Sequence, residues 1–149
     1  MSKRFQTVGS LLRPKELLEF KRQIEGSDDI TYPFYSDLKG YEECEIEATR
    51  NVVNKQIQHG IDVITDGEFS RSLWHLDFLW GLTGITRYIS EHGYFFRDKD
   101  ETGKYETRKD IGIRITGNLS GRNHHFITIF KRLKSIAGEK ETKLCVPSP

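Results

Sequence analysis

The fold that we expect for this chain is decided by residues 61–72, IDVITDGEFSRS. The first half of the stretch is apolar and β-branched, which favours a short buried strand of a parallel sheet. Asp66 and Glu68 directly follow that strand, and α/β proteins bind ligands in the loops at the carboxyl ends of their strands. Gly67 lets the backbone turn sharply between the two carboxylates. We therefore predict that this loop borders an active site.

The composition predicts a water-soluble domain without a charge-driven partner. The chain has 149 residues, 30% of them charged, and a formal net charge of +1. This length is enough for one domain with a core, and the low net charge gives no reason to expect nucleic acid or a membrane surface as partner. We see no apolar run of the roughly 20 residues that span a bilayer, and no signal peptide. Cys44 and Cys145 lack metal-site spacing, so we expect a reduced, cytoplasmic protein.

The segment before residue 61 predicts one strand and two helices. Residues 5–10 form the strand and end in the turn Val8-Gly9-Ser10, where a glycine backbone and a serine hydroxyl are suited to approach a ligand. Pro14 fits the first turn of a helix that runs to residue 25. A second helix runs from about residue 37 to 59, and we expect four of its acidic residues on a solvated face: Glu42, Glu43, Glu45 and Glu47.

Residues 69–82, which follow the acidic loop, are open to two interpretations. They are rich in aromatic residues, with Arg71, His75 and Asp77 between them. As a helix, the segment packs its large apolar residues into the core while its polar residues face outward. As a lid over the site, it supplies an aromatic wall that includes Trp74. A lone histidine such as His75 is more often structural than catalytic.

Residues 88–110 predict a β-hairpin that leaves the main architecture. Two β-prone arms there flank a polar turn at about residues 98–103. The alternating isoleucines of residues 111–116 then predict a strand. A helix over 123–137 and a short strand over 143–146 complete the pattern.

The end of the chain predicts an incomplete architecture. The last strand is closed by Pro147-Ser148-Pro149, which looks like a cut through a longer protein. A full parallel barrel needs eight strands and typically about 250 residues. We therefore expect residues 1–149 to form a single α/β domain built from the first βα units of a barrel.

Three of these features, together with Trp74-His75-Leu76-Asp77-Phe78, resemble the cobalamin-independent methionine synthase family. They are the turn Val8-Gly9-Ser10, the strand and loop of residues 61–68, and the strand of residues 143–149 that ends in proline. The closest match is the short single-barrel branch, described as 5-methyltetrahydropteroyltriglutamate–homocysteine methyltransferase-like. The resemblance covers nearly all of this chain and roughly the first two-fifths of a family member. It implies the N-terminal portion of a (β/α)8 TIM barrel with an inserted β-hairpin.

The function implied by the resemblance is zinc-dependent methyl transfer. A family member moves a methyl group from 5-methyltetrahydrofolate, in its polyglutamate form, to homocysteine and so makes methionine. Zinc binds the homocysteine thiol, lowers its pKa and holds it as a thiolate nucleophile. The implied partners are homocysteine or methionine and a methyl-folate.

The resemblance implies that five residues contact substrate. Val8-Gly9-Ser10 matches the family's Ile-Gly-Ser segment, which contacts the amino acid, and Glu68 matches the glutamate that binds its ammonium group. Arg108 matches an arginine near the folate, although Lys109 follows it where folate-binding relatives have a cysteine. His75 is a further candidate for substrate contact.

The metal ligands of the family have no match in this chain. They are a His-x-Cys pair, a glutamate and a later cysteine, all from the second half of the barrel. His124 and His125 are adjacent, and on a helix they would point about 100° apart. Cys44 and Cys145 match no ligand. We predict no metal site and no catalytic residue in this chain, which by itself should be inactive, and zinc ligands beyond residue 149 in the parent protein.

Two alternative functions stay open at this point. A non-catalytic binding module would need a partner or self-association, because part of a barrel exposes strand edges and apolar faces. Another member of the same barrel superfamily, such as a uroporphyrinogen decarboxylase or a corrinoid-linked methyltransferase, is the second alternative. A porphyrin site would need basic residues at the strand ends, and Asp66 and Glu68 argue against it.

Overall fold

The structure is a computed structural model, and it describes residues 4–25, 38–97, 104–106 and 109–147. Within these residues, four helices and six strands form a mixed α/β domain. In chain order they are α1 (Lys15–Glu25), α2 (Tyr41–Gln58), β1 (Val63–Ile64), α3 (Leu76–Trp80), β2 (Thr83–Tyr88), β3 (Phe95–Arg97), β4 (Lys104–Glu106), β5 (Gly112–Ser120), α4 (Phe126–Ala137) and β6 (Glu141–Thr142). A 3-10 turn, Lys109–Ile111, precedes β5.

Three segments distant in sequence lie side by side in parallel. Gln6 bridges to Val63, and β1 pairs with β6 so that Val63 lies opposite Glu141. The backbone N–H of Lys143 donates to the carbonyl of Ile64 over 2.9 Å, which extends this pairing by one residue. The sequence places the last strand at 143–146, whereas the paired residues are 141 and 142. The carboxyl ends of the three parallel segments therefore share one edge, and loop 65–72 leaves from the middle one.

The apolar core of the described residues consists of two clusters of buried side chains. One cluster joins α1, α2, α3 and the 3-10 turn and includes Leu17, Tyr41, Phe69, Leu76 and Trp80. A second cluster joins α2, β1 and α4 through Val53, Ile64, Leu133 and Ala137. Helix α2 belongs to both, because Tyr41 and Ala48 pack into the first cluster and Val53 packs into the second. Each large side chain removed from water in this way contributes roughly 1.5–3 kcal/mol before entropy is subtracted.

The described residues between 83 and 120 form a nested antiparallel arm. Strand β2 pairs with β5, and β3 pairs with β4 further out along the same excursion. Strands β3 and β4 lie within the range 88–110 for which a hairpin is predicted, and its turn, residues 98–103, lies outside the described residues. Strand β2 has no counterpart in the sequence prediction. Large apolar side chains such as Phe95 and Phe96 are exposed on the arm.

The segment after the acidic loop folds as a short helix rather than as a continuous one. Helix α3 is only five residues long, and it buries Leu76 and Trp80 while Trp74 stays exposed. The expectation that the polar residues of this segment face outward is wrong for Arg71 and Asp77, which are both buried. Within the described residues, no helix has both the length and the apolar character that a bilayer crossing requires.

The contact between α3 and α4 depends on Gly81. The backbone carbonyl of Phe78 lies 2.8 Å from Nε2 of the buried His124 ring. His124 Nδ1 accepts the backbone N–H of Phe126 over 3.1 Å and so satisfies the first turn of α4. A Cβ atom on Gly81 would lie 2.6 Å from Cε1 and 2.9 Å from Cδ2 of His124. Only a residue without a side chain leaves room for this ring.

We expect Gly81→Ala to lower the free energy of unfolding by roughly 1–3 kcal/mol, because the added methyl overpacks the His124 ring. Gly121→Ala is the matched control, since its Cβ would meet only a Leu82 methyl at 3.6 Å. Urea denaturation of the two variants measures the difference. Equal stability of the two would show that the His124 ring has room to move.

Candidate functional site

Glu68 adopts a backbone conformation that is uncommon for its residue type. Its φ is 61°, it follows Gly67 at φ 71°, and it is the only non-glycine residue with positive φ in the described part of the chain. Asp66 holds the turn, because its Oδ1 accepts the backbone N–H of Glu68 over 3.0 Å. The carbonyl of Gly67 accepts the N–H of Leu11 over 3.1 Å. Positive φ is favourable for few residues other than glycine, so the surrounding structure must hold the backbone of Glu68 in this conformation.

The Glu68 carboxylate is buried between two partners. The hydroxyl of Ser10 donates to Oε2 over 2.5 Å, and Nη1 of Arg71 lies 3.4 Å from Oε1. Only 4% of the residue is exposed. The structure thus brings together two of the predicted site residues, Ser10 and Glu68, from the ends of the first and second parallel segments.

Arg71 is a site residue that the sequence analysis did not identify. Its side chain is 1% exposed, and its guanidinium lies over the Phe126 ring at 4.6 Å. Nη2 donates to the carbonyl of Cys145, just beyond β6, and Nη1 donates to the carbonyl of Trp74 over 3.5 Å. The arginine therefore connects the acidic loop with α4 and with the end of the third parallel segment. Its signal in the sequence is its position three residues after Glu68 on a tight loop.

A second arginine fixes the backbone of the same loop. Nη2 of Arg13 donates to the carbonyl of Glu68 over 2.9 Å and to the carbonyl of Arg71 over 2.8 Å. Arg13 precedes helix α1, so the turn that carries Ser10 and the loop that carries Glu68 are held by one side chain. A planar guanidinium is suited to two such hydrogen bonds at once.

Two buried aspartates flank the pair formed by Glu68 and Arg71. Burial raises the pKa of Asp66, although the hydrogen bond from the Glu68 N–H and the charge of Arg71 oppose this. Its Oδ2 has no hydrogen-bond partner within the described residues. Burial raises the pKa of Asp77 to about 6, against hydrogen bonds from the N–H groups of Ser72 and Leu73. Those bonds are 2.7 and 3.1 Å long and hold the turn between the acidic loop and α3.

The other predicted site residues are placed differently. Val8 is 88% exposed and directs its side chain into solvent, while Gly9 has a φ of 78°. The ring of His75 lies against that of Trp74 at a centroid distance of 4.6 Å and is tilted by 50° to it, and burial lowers the pKa of His75. In the described part of the chain, His75 Nδ1 has no hydrogen-bond partner. Arg108 lies outside the described residues.

The residues needed for a metal centre are not assembled in the described ranges. No group of three or more His, Cys, Asp or Glu side chains could hold an ion there. The rings of His124 and His125 stack 5.5 Å apart just before α4, rather than pointing apart on a helix. Both ring nitrogens of His124 are already engaged by backbone groups. The residues described do not fit the zinc centre that the resemblance implies.

Glu45 corrects the expectation of a fully solvated acidic face on α2. It is buried, and it accepts hydrogen bonds from Thr49 and from Nη2 of Arg132 on α4. Burial raises its pKa, which the charge of Arg132 opposes. Glu42, Glu43 and Glu47 are exposed as expected. The pair formed by Glu45 and Arg132 lines a cavity of about 570 Å³ between the first turns of α2 and α4.

An apolar cleft of about 520 Å³ lies beside α4. Its walls come from α3, α4 and the segment after β6, with Phe78, Phe126, Phe130, Leu144 and Val146 among the lining residues. The acidic loop does not line it. The cleft is therefore separate from the site formed by Ser10, Glu68 and Arg71.

Comparisons with known proteins identify relatives much longer than this chain. No protein-family model matches it. Two uncharacterized proteins of Bacillus subtilis (strain 168) are similar: YxjH is 37% identical over 142 residues, and YxjG is 33% identical over 146 residues. These matches cover 95% and 98% of this chain but only 34% and 35% of the relatives. The chain thus spans about a third of the length of these relatives.

Two solved structures share the fold over a similar share of their length. One, from Listeria monocytogenes, is provisionally described as a vitamin-B12 independent methionine synthase, and it matches 99% of this chain and 38% of its own, with a TM-score of 0.64 and 26% identity. The other is a B12-independent methionine synthase from Shewanella sp. W3-18-1 in complex with selenomethionine, with a TM-score of 0.58, 19% identity and coverage of 96% and 37%. The chain is a mixed α/β domain that is structurally similar to part of methionine synthase-like proteins.

The raised pKa of Asp77 makes stability depend on pH. Because the pKa rises from 3.8 to about 6 on folding, the folded state binds more protons than the unfolded state between these values. The contribution of Asp77 to the free energy of unfolding therefore falls as the pH rises through this range. We expect the free energy of unfolding of the wild type, minus that of Asp77→Asn, to fall by up to about 3 kcal/mol over the range.

Chemical denaturation at a series of pH values between about 3.5 and 7 measures this difference. Subtracting the free energy of unfolding of Asp77→Asn removes the effect of titrations that both proteins share. One of these is the titration of His125, whose pKa burial lowers to about 4. A difference that stays constant with pH would show that the pKa of Asp77 is the same in the folded and the unfolded protein.

Proposed function

We propose that this chain supplies the amino-acid-binding part of a zinc-dependent methyltransferase, which transfers a methyl group from 5-methyltetrahydrofolate to homocysteine to make methionine. The observation that carries the proposal is the contact between Ser10 and Glu68 at the shared carboxyl edge of the parallel segments. Structural similarity to methionine synthase-like proteins, one of them solved with selenomethionine, supports the same class of ligand.

The chemistry of Glu68 suits the ammonium group of an amino acid. A carboxylate oxygen has two lone pairs, so Ser10 and Arg71 leave acceptor capacity on each oxygen. A hydrogen bond between two charged groups is stronger than a neutral one, and burial strengthens it further. Because Ser10 and Arg71 already hold the carboxylate, an incoming ammonium would meet a preorganised partner and lose little entropy to ordering it.

We assign the binding of the methyl donor and of the metal to residues that the structure does not describe. Arg108, the candidate for folate contact, lies outside the described residues. The described residues do not fit a zinc centre, so we assign the zinc ligands to the part of the protein that corresponds to the unmatched two-thirds of its relatives. The proposed partners are homocysteine, methionine and a methyl-folate, in the cytoplasm, and the chain by itself is expected to be inactive.

We expect Glu68→Gln to weaken the binding of methionine to the protein that carries this sequence by roughly 1.5–3 kcal/mol, the contribution of a charged hydrogen bond. The substitution keeps the shape of the side chain and removes its charge. Glu47→Gln is the matched control, because Glu47 is an exposed residue of α2. Isothermal calorimetry measures both, and an unchanged affinity in Glu68→Gln would remove Glu68 from the site.

Zinc content provides a separate test of the catalytic part of the proposal. In a protein as long as the curated relatives, we expect about one zinc ion per chain, since such sites bind a single ion. In residues 1–149 expressed alone we expect none. Elemental analysis together with intact mass decides between these cases. Stoichiometric zinc in the 149-residue chain would show that its own residues assemble a metal centre.

A further inference from the structure

The structure assigns to Arg71 the role of positioning residue for Glu68: its buried guanidinium sets the orientation of the carboxylate that receives the ammonium group of the ligand. This inference rests on the function proposed above and adds a residue to its site. Arg71 itself is not expected to touch the ligand, because its side chain is enclosed by Glu68, Phe126 and the backbone carbonyls of Trp74 and Cys145.

The Glu68 carboxylate needs a second contact to fix its orientation. A glutamate side chain has three rotatable bonds, and Glu68 projects from a backbone with a φ of 61° on a loop rather than from a helix or strand. Ser10 contacts only Oε2, and this contact alone leaves the carboxylate free to rotate about it. Arg71 Nη1, 3.4 Å from Oε1, fixes the second oxygen and so defines the plane of the group.

Arg71 is itself held in place by rigid groups. Its two terminal nitrogens donate to two backbone carbonyls, which cannot reorient without moving the chain. The Phe126 ring supports the face of the guanidinium at 4.6 Å. A lysine in this place would keep the positive charge, but its single nitrogen could not reach the same carbonyls and Glu68 together. The position therefore requires the fork of an arginine and not only a cation.

The groups that contact Arg71 come from separate parts of the fold. Cys145 follows the third parallel segment, Phe126 begins α4, and Glu68 follows the second segment. Arg71 therefore connects the carboxylate, on the loop after the second segment, with two further elements of the fold. A change in the spacing between the second and third segments would therefore move Glu68 relative to Ser10, which belongs to the first.

The test compares Arg71→Lys with the wild type against two ligands, methionine and its desamino analogue, which has the same thioether and carboxylate but no amine. We expect Arg71→Lys to weaken methionine binding by roughly tenfold or more, the scale of one charged hydrogen bond, and to leave the affinity for the analogue within about twofold. In a Glu68→Gln background, we expect Arg71→Lys to have no further effect on methionine. A merely structural role would weaken both ligands equally and add to the effect of Glu68→Gln.

Arg132→Lys is the matched control, since Arg132 is another largely buried arginine that pairs with a glutamate, Glu45, away from Glu68. It should change stability without changing the ratio of the two affinities. Should Arg71→Lys fail to fold, Phe126→Leu takes its place: it keeps both charges and removes the support beneath the guanidinium. A selective loss of methionine affinity in that variant supports the inference, and an unchanged ratio overturns it.

The outcomes separate this inference from the function on which it rests. Failure of the wild type to bind methionine would overturn the proposed function, and the role of Arg71 with it. Methionine binding that depends on Glu68 but not on Arg71 would overturn the positioning role alone.

Discussion

The structure depends on one buried cation, the guanidinium of Arg71, whose charge and N–H groups need partners inside the protein. Moving an arginine into a protein interior is strongly unfavourable unless its charge is paired and its N–H groups are hydrogen-bonded. The two terminal nitrogens of Arg71 find such partners only when the acidic loop, the start of α4 and the end of the third parallel segment are all in place. Its Nε has no hydrogen-bond partner among the described residues. The arginine therefore favours one relative arrangement of these elements, where apolar contacts alone would tolerate several.

The acidic loop shows how this constraint and the site are connected. Two hydrogen bonds hold Glu68 at its unfavourable φ: its N–H donates to Asp66, and its carbonyl accepts from Arg13. Those bonds direct the carboxylate to the edge where the parallel segments end, which is the place where α/β folds bind ligands. Asp66 has to stay buried to hold this turn, and this burial is what raises its pKa. The raised pKa of Asp66 thus follows from the backbone conformation of the loop.

The elements with a clear local signal could be predicted from the sequence, and the long-range pairs could not. Helices α1, α2 and α4 follow from apolar stripes at helical spacing, and the loop after β1 follows from a β-branched run that ends in Asp66-Gly67-Glu68. Strand β2 was missed because Thr83–Tyr88 acquires its structure only by pairing with β5. Burial of Glu45 depends on Arg132, 87 residues away, and that of Arg71 depends on Cys145, 74 residues away. Charge patterns on one helix contain no information about such partners, so both residues look like solvated surface.

The nested arm and the parallel centre also differ in how they can form. The arm joins β2 to β5 and β3 to β4 within residues 83–120, so each pairing closes a short loop. The parallel centre joins residues 6, 63 and 141, so each of its two pairings closes a much longer loop. Loop closure opposes non-local pairing before the contacts reward it, which slows the folding of parallel sheets. We therefore expect the pairings of the arm to form faster than those of the parallel centre, so that the exposed aromatic side chains of the arm are in place before the centre is complete.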